Sequence, residues 1–351
     1  MTQGEEKSGD PQNEPGPDRE PKEQPPVRRR LPWSKRLLFL AFFLFFLFLL
    51  VECGLRIAKN MIRPDTTATG QESDCESIVF LCIGDSMTFG LGAERNESYP
   101  SQLPKFFTRR FPGLQAKVYN LGVAGTNTSE GINNLENFLK TYPDAFPDFA
   151  LIMYGVNNRW NLHNASFWDW DEDAKKNNYL DYLASRFQTN KLFGIAKANR
   201  NDQLAVARKT GGKTYREMLD EHGWYMFFSS FSDDLLARWI EHDLLQMAEK
   251  LKSRGVEPIF LTYHYNRFDH LNDLIRQTAQ KADVKLIDLE KPFNFYQVRR
   301  MYHDDNFHLN AKGYNALARR IVLGFGEHFI RFQLTTNIQA KELDDRCKSA
   351  Q

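Results

Sequence analysis

The sequence is poor in cysteine. Cys53, Cys75, Cys82 and Cys347 are all it has, at spacings that fit no metal site. It also lacks a charge excess: 46 lysines and arginines meet 45 aspartates and glutamates, so the basic stripe of a nucleic-acid binder is missing. No internal repeat is visible, which sets repeat architectures aside. Residues 1–30 contain almost nothing apolar. A stretch of Pro, Glu, Gln, Lys and Gly cannot bury enough surface to offset its ordering entropy, and a disordered tail is expected there. From Leu37 to Val51 the lack is of the opposite kind. The run LLFLAFFLFFLFLLV holds no charge and no hydrogen-bonding side chain, so it has none of the polar face that a core helix turns to water.

That run is a little short for a spanning helix, which needs about 20 residues. Leu31, Pro32 and Trp33 extend it on one side, and Cys53, Gly54, Leu55 and Ile57 on the other. Arg28, Arg29, Arg30, Lys35 and Arg36 crowd its N-terminal flank, which by the positive-inside rule holds the N-terminus in the cytoplasm. A cleaved signal peptide is the competing reading. The long charged stretch before the run, and the want of an A-x-A-like site after it, favour an uncleaved signal anchor. The expected organisation is a cytoplasmic tail (1–30), a transmembrane anchor (31–57), a linker (58–76), one folded domain (77–332) and a polar tail (333–351). The chain is then a single-pass protein of the cytoplasmic (inner) membrane, with its folded domain periplasmic or extracellular. Cys75 and Cys347 flank that domain; a disulfide and two unpaired thiols both remain open.

Within the domain, five short apolar runs read as buried strands: Ile78–Ile83, Lys117–Leu121, Phe149–Tyr154, Pro258–Tyr263 and Val284–Leu289. Helical spacing of apolar residues marks 98–110, 129–141, 233–254, 269–282 and 311–325 between and after them. The third of these carries Leu235, Leu236, Trp239, Ile240, Leu244, Leu245, Met247 and Leu251 as a stripe and stops at Gly255. Strands alternating with helices predict an α/β fold with a parallel sheet covered on both faces. Residues 160–232 interrupt the alternation. They are too many for an ordinary connection and are expected to carry helices of their own. Two roles stand open for this insertion: a lid or substrate-binding element beside the ligand end of the sheet, or a packing subdomain.

The residues that carry chemistry fall at strand ends. Gly84-Asp85-Ser86 closes the first strand, and a serine there sits at the rim where open α/β sheets bind ligands. A serine hydroxyl is a poor nucleophile without a base beside it, and alone Ser86 reads equally well as a helix cap. Asp305-Asn306-Phe307-His308 offers a base with a carboxylate three residues away, close enough for one turn to aim both. His303 and Asp304 lie next to it, but no further ligand at zinc-like spacing appears, so no metal is expected. Acyl transfer also needs donors for an oxyanion. Gly125, after the second strand, can offer its N–H; Asn157, in Gly155-Val156-Asn157-Asn158 after the third, can offer its amide. Each is also common turn chemistry.

The four blocks in this order, Gly84-Asp85-Ser86, Asn120 to Gly125, Gly155-Val156-Asn157 and Asp305 to His308, resemble those of the SGNH hydrolase (GDSL-type esterase/lipase) family. The resemblance spans roughly residues 77 to 330 without most of the insertion. It implies a three-layer α/β/α sandwich around a five-stranded flavodoxin-like parallel sheet. It also implies the roles: Ser86 as nucleophile and, through its N–H, an oxyanion donor; Gly125 and Asn157 as the other donors; His308 as base; Asp305 as its orienting carboxylate. No cofactor is implied. The family's third block usually ends in aspartate where this chain has Asn158, a departure that bears on the supporting geometry. The stretch Met87-Thr88-Phe89-Gly90 stands where the strict form has leucine. The expected substrate is an O-acylated carbohydrate, hydrolysed or transferred to another acceptor. A lipid or lysophospholipid ester and a catalytically silent glycan-binding module are the alternatives.

Overall fold

A computed structural model describes residues 32–61, 77–145, 147–189, 233–264, 269–290, 299–303 and 307–335. Asp305, Cys75, Cys347 and the second half of the insertion lie outside the described residues. The chain divides into two units, residues 1–50 and 51–351. In the first, helix α1 (Trp33–Met61) begins, and its side chains from Trp33 to Leu50 are exposed and overwhelmingly apolar. The stretch Trp33–Ala58 has a mean hydropathy of 2.7 over its most apolar window and is long enough to cross a membrane. The helix runs on through Met61, into the segment expected as linker.

The second unit is built on five parallel strands: β1 (Ser77–Gly84), β2 (Gln115–Asn120), β3 (Phe149–Met153), β4 (Glu257–Leu261) and β5 (Lys285–Ile287). Their order is β2-β1-β3-β4-β5, the flavodoxin-like order. β1 therefore sits inside the sheet with its direction reversal beside it, and its C-terminal end opens at the switch point. The inner strands are apolar without alternation because helices cover both faces, and β3 is buried at every position, whereas the edge strand β2 alternates, with Ala116 and Val118 buried.

On one face lie α3 (Tyr99–Arg110) and the last helix, α10 (Ala311–Thr335). Phenylalanines fill that layer. The Phe325 ring meets Phe80 at 5.2 Å, Phe107 at 5.8 Å and Phe149 at 4.8 Å, edge-on or tilted. On the other face lie α4 (Thr128–Thr141), α8 (Asp233–Lys252) and α9 (Asp269–Lys281). Between β1 and α3 sits a single turn, α2 (Ser86–Phe89). The described half of the insertion forms three short helices, α5 (Phe167–Trp170), α6 (Glu172–Asn177) and α7 (Tyr179–Ser185).

Four strands end earlier than their apolar runs. β2 stops before Leu121, β3 before Tyr154, β4 before Thr262 and Tyr263, and β5 before Asp288 and Leu289. For β4 and β5 the cause lies in side-chain hydrogen bonds that capture the backbone at the rim. The N–H of Tyr263 goes to Asn272 Oδ1 at 2.8 Å, and that of Leu289 to Thr262 Oγ1 at 2.7 Å. Asp288 itself turns to Arg276 and Thr262.

Candidate active site

Ser86 lies two residues past Gly84, the last residue of β1, and opens α2 behind Asp85. A β-carbon on Gly84 would stand 1.9 Å from Thr88 Oγ1 and 2.8 Å from the carbonyl oxygen of Met153, so no side chain fits there. Asp85, fully buried, accepts the N–H of Met87 at 3.0 Å and thereby caps the turn that carries Ser86. The imidazole Nε2 of His308 lies 2.8 Å from Ser86 Oγ. Two residues separated by 222 positions thus meet within hydrogen-bonding distance.

His308 is held by a small turn before α10. Tyr302 and Leu309 form an antiparallel bridge, and the His303 N–H donates to the His308 carbonyl at 2.8 Å. Asn310 locks this turn to the helix. Its amide donates to the carbonyls of Arg300 (2.9 Å) and Tyr302 (3.1 Å), and its oxygen accepts the Gly313 N–H (3.1 Å).

The loops after β2 and β3 come to the same rim. Val123 N–H donates to the Gly84 carbonyl at 3.0 Å. Gly125 follows with φ +70°, a left-handed conformation that glycine adopts without strain. Asn157 is buried. One amide hydrogen goes to the Thr126 carbonyl at 3.0 Å, and its oxygen accepts the Trp160 indole N–H at 3.1 Å. An amide carries two hydrogens, so the second remains available to a ligand. The structure thus brings Ser86, His308, and the segments bearing Gly125 and Asn157 to one end of the sheet; Asp305 lies outside the described residues.

Asn158 has a physical reason of its own. Its oxygen accepts the N–H of Thr128, the first residue of α4, at 3.1 Å, and its amide donates to Thr128 Oγ1 at 2.6 Å. That hydroxyl in turn donates to Asp243 Oδ2 at 2.6 Å. An aspartate at 158 would offer only acceptors to an oxygen whose hydrogen is already committed. Asp243, fully buried on α8, also accepts from Ser129 Oγ, the Trp239 indole and Ser166 Oγ. The carboxyl group of this region sits on α8 instead of in the third block.

Sequence reading missed two residues at the rim. Tyr263, past the end of β4, donates to Asp85 Oδ2 at 2.5 Å and accepts the Val156 N–H at 3.4 Å. One phenol therefore links the residue before Ser86 to the residue before Asn157. Burial pushes the Asp85 carboxyl up to about 6, against the lowering effect of Tyr263, Met87 N–H and the His308 charge. His264, buried with its ring 5.8 Å from that of Tyr302, is pushed down to about 4 by burial and then by the His308 charge. Asp243 did leave a signal: it falls on the apolar stripe between Ile240 and Met247, where a lone acid implies buried donors.

A parallel α/β sheet with a serine and a histidine paired at its switch-point rim defines a class, the α/β ester hydrolases. Residues 82–316 match the GDSL-like Lipase/Acylhydrolase family, more than half of the chain, and the protein belongs to that family and is an ester hydrolase. No curated protein matches the sequence. Among solved structures, a psychrotrophic esterase from Pseudoalteromonas sp. is similar at 12% identity and a TM-score of 0.42, covering 72% of this chain and 98% of its own. An acetylxylan esterase from Geobacillus stearothermophilus has 17% identity and a TM-score of 0.41, covering 72% and 94%. A lipase/acylhydrolase from Enterococcus faecalis has 14% identity and a TM-score of 0.42, covering 70% and 93%. Likeness at that level does not bear on substrate.

Proposed function

We propose that the chain is a membrane-anchored, extracytoplasmic serine esterase that removes or transfers acyl groups of O-acylated carbohydrate. In this reading His308 takes the proton of Ser86 Oγ as it attacks the ester carbonyl. The N–H groups of Ser86 and Gly125 and the free amide hydrogen of Asn157 receive the oxyanion. Asp305 orients the imidazole and stabilises its cation. The alcohol leaves with the proton from His308, and water, or a second sugar hydroxyl, then takes the acyl group from Ser86. The observation that carries this reading is the 2.8 Å contact between Ser86 Oγ and His308 Nε2. The anchor is α1, with the arginine-rich segment before it cytoplasmic.

The described aromatics of the insertion do not favour sugar stacking. Phe167 and Trp168 are buried, and Phe167 packs on Trp239 at 5.0 Å, as core residues do; Trp170 is partly exposed over His242. The carbohydrate reading therefore rests on the location that the anchor implies.

Fluorophosphonate labelling of the full-length protein, with Ser86→Ala beside it, tests the nucleophile. The expected result is one adduct on Ser86, none in the variant, and loss of short-chain ester hydrolysis. Asn157→Ala is expected to keep the adduct site while turnover falls on the order of 10²–10³-fold. Retained hydrolysis in Ser86→Ala removes the assignment. Product analysis on acetylated glycan against phospholipid separates the two substrate classes.

A further inference from the structure

Tyr263 stands just past the end of β4 and is fully buried. Its backbone is fixed from outside the sheet. Asn272, fully buried on α9, accepts the Tyr263 N–H on Oδ1 at 2.8 Å and donates from Nδ2 to the Tyr263 carbonyl at 3.0 Å. One side chain thus satisfies both main-chain groups of this residue, as a paired strand would. A tyrosine side chain has two rotatable bonds and a stiff ring, so a clamped backbone delivers its hydroxyl to one place.

That hydroxyl meets two segments of the rim at once. It donates to Asp85 Oδ2 at 2.5 Å and accepts the Val156 N–H at 3.4 Å. The other oxygen of Asp85 accepts the Met87 N–H at 3.0 Å, so the carboxyl group holds the turn on which Ser86 stands. Val156 leads directly into Asn157, whose amide gives one hydrogen to the Thr126 carbonyl at 3.0 Å and keeps the other for a ligand. Asp85, Val156 and Tyr263 lie in the segments after β1, β3 and β4, three strands that are neighbours in the sheet. The phenol joins all three.

We propose, on the reading of Asn157 as an oxyanion donor, that Tyr263 is a positioning residue for the hydrolysis. It sets the spacing between the nucleophile turn and the amide of Asn157, and acts on the chemistry only through Asp85 and Val156. A donor lowers the barrier when it is aimed at the place where charge develops, and a misplacement of about 1 Å costs up to roughly 10²-fold. Tyr263→Phe keeps the ring and removes the joint. The Asn157 amide is then no longer held against Ser86 Oγ, which lowers turnover and leaves ground-state binding in place.

The test is a double-variant cycle on the full-length protein in detergent, with a soluble short-chain ester: wild type, Tyr263→Phe, Asn157→Ala and both together. Both kcat and KM are measured well below each melting temperature, and kcat is expressed per folded molecule by calorimetry. Tyr263→Phe is expected to lower kcat on the order of 10–10²-fold with KM little changed. In the double variant the change at 263 is expected to add little to the loss from Asn157→Ala, because the amide it positions is gone. Fully multiplicative losses would mean that the phenol serves the nucleophile turn alone, and they overturn the proposal. An unchanged kcat in Tyr263→Phe, or a change in KM alone, overturns it as well. An unchanged kcat in Asn157→Ala instead overturns the oxyanion reading of that residue, and the positioning role with it. Should Tyr263→Phe fail to fold, Asn272→Asp runs the same cycle. It keeps the acceptor for the Tyr263 N–H, loses the donor to the Tyr263 carbonyl and leaves the phenol present. A smaller fall in kcat, again absorbed by Asn157→Ala, is expected there, and an undiminished kcat overturns the proposal.

Discussion

Asp85 and His264 are titratable groups that the fold keeps from water, and they act on stability in opposite directions. In the unfolded chain Asp85 loses its proton near 3.8, whereas in the folded protein burial holds it until about 6. The stabilisation from the retained proton is complete below the unfolded value and is lost as pH rises through about 6; the charged form then costs roughly 3 kcal/mol. His264 runs the other way. Its neutral ring stabilises the fold fully above 6.5, and that contribution is lost as pH falls through about 4. Between about 4 and 6 the two slopes offset, so the wild-type melting temperature is expected to change little across that window from these groups. Asp85→Asn is expected to melt higher than wild type at pH 7.5, with a gap that shrinks toward pH 4. His264→Gln leaves the Asp85 slope uncancelled, so its melting temperature is expected to rise as pH falls from about 6 to about 4. A pH-independent gap for either variant sinks the corresponding argument. Neither effect was legible in the sequence. Asp85 was read only as part of a motif, and His264 was not singled out, because desolvation depends on neighbours far away along the chain.

At the scale of elements, α4 and α8 are joined through a short polar chain: Asn158 to Thr128 to Asp243. The direction of these bonds is fixed, since Thr128 has one hydroxyl hydrogen and gives it to Asp243. Asn158→Asp is expected to lower stability by roughly 1–3 kcal/mol, because two acidic groups then compete for one hydrogen. Adding Asp243→Asn is expected to recover part of that loss. Calorimetric melting of the two single variants and the double variant measures the coupling, and strictly additive losses would defeat the proposed link. The same region shows what a sequence can and cannot disclose. Strand and helix positions came out within a few residues because apolar periodicity is local. Their ends did not, since Asn272 and Thr262 end β4 and β5 by bonds across the rim. Ser86 and His308 were legible as partners because each stood at a strand or helix end with a recognisable block around it. Tyr263 was not, because its phenol carries its meaning through Asp85 and Val156, more than a hundred residues away; Asp243 showed as a lone acid on an apolar stripe, but its partners Thr128 and Ser129 are equally distant.

For the whole molecule, the pairing at the rim depends on packing far from it. Ser86 stands just past the end of β1 and His308 just before α10, 222 positions apart, so nothing local in the sequence holds them together. The layer between that helix and the sheet does: the Phe325 ring meets Phe80 on β1 at 5.2 Å and Phe107 on α3 at 5.8 Å. Phe325→Ala removes a fully buried ring and is expected to cost roughly 3–5 kcal/mol of stability. Short-chain ester hydrolysis by this variant is then expected to fall in step with its folded fraction as temperature rises, while activity per folded molecule in the cold stays near that of wild type. Lost activity in protein that calorimetry shows to be fully folded would mean that the ring also sets the distance between the two side chains at the rim.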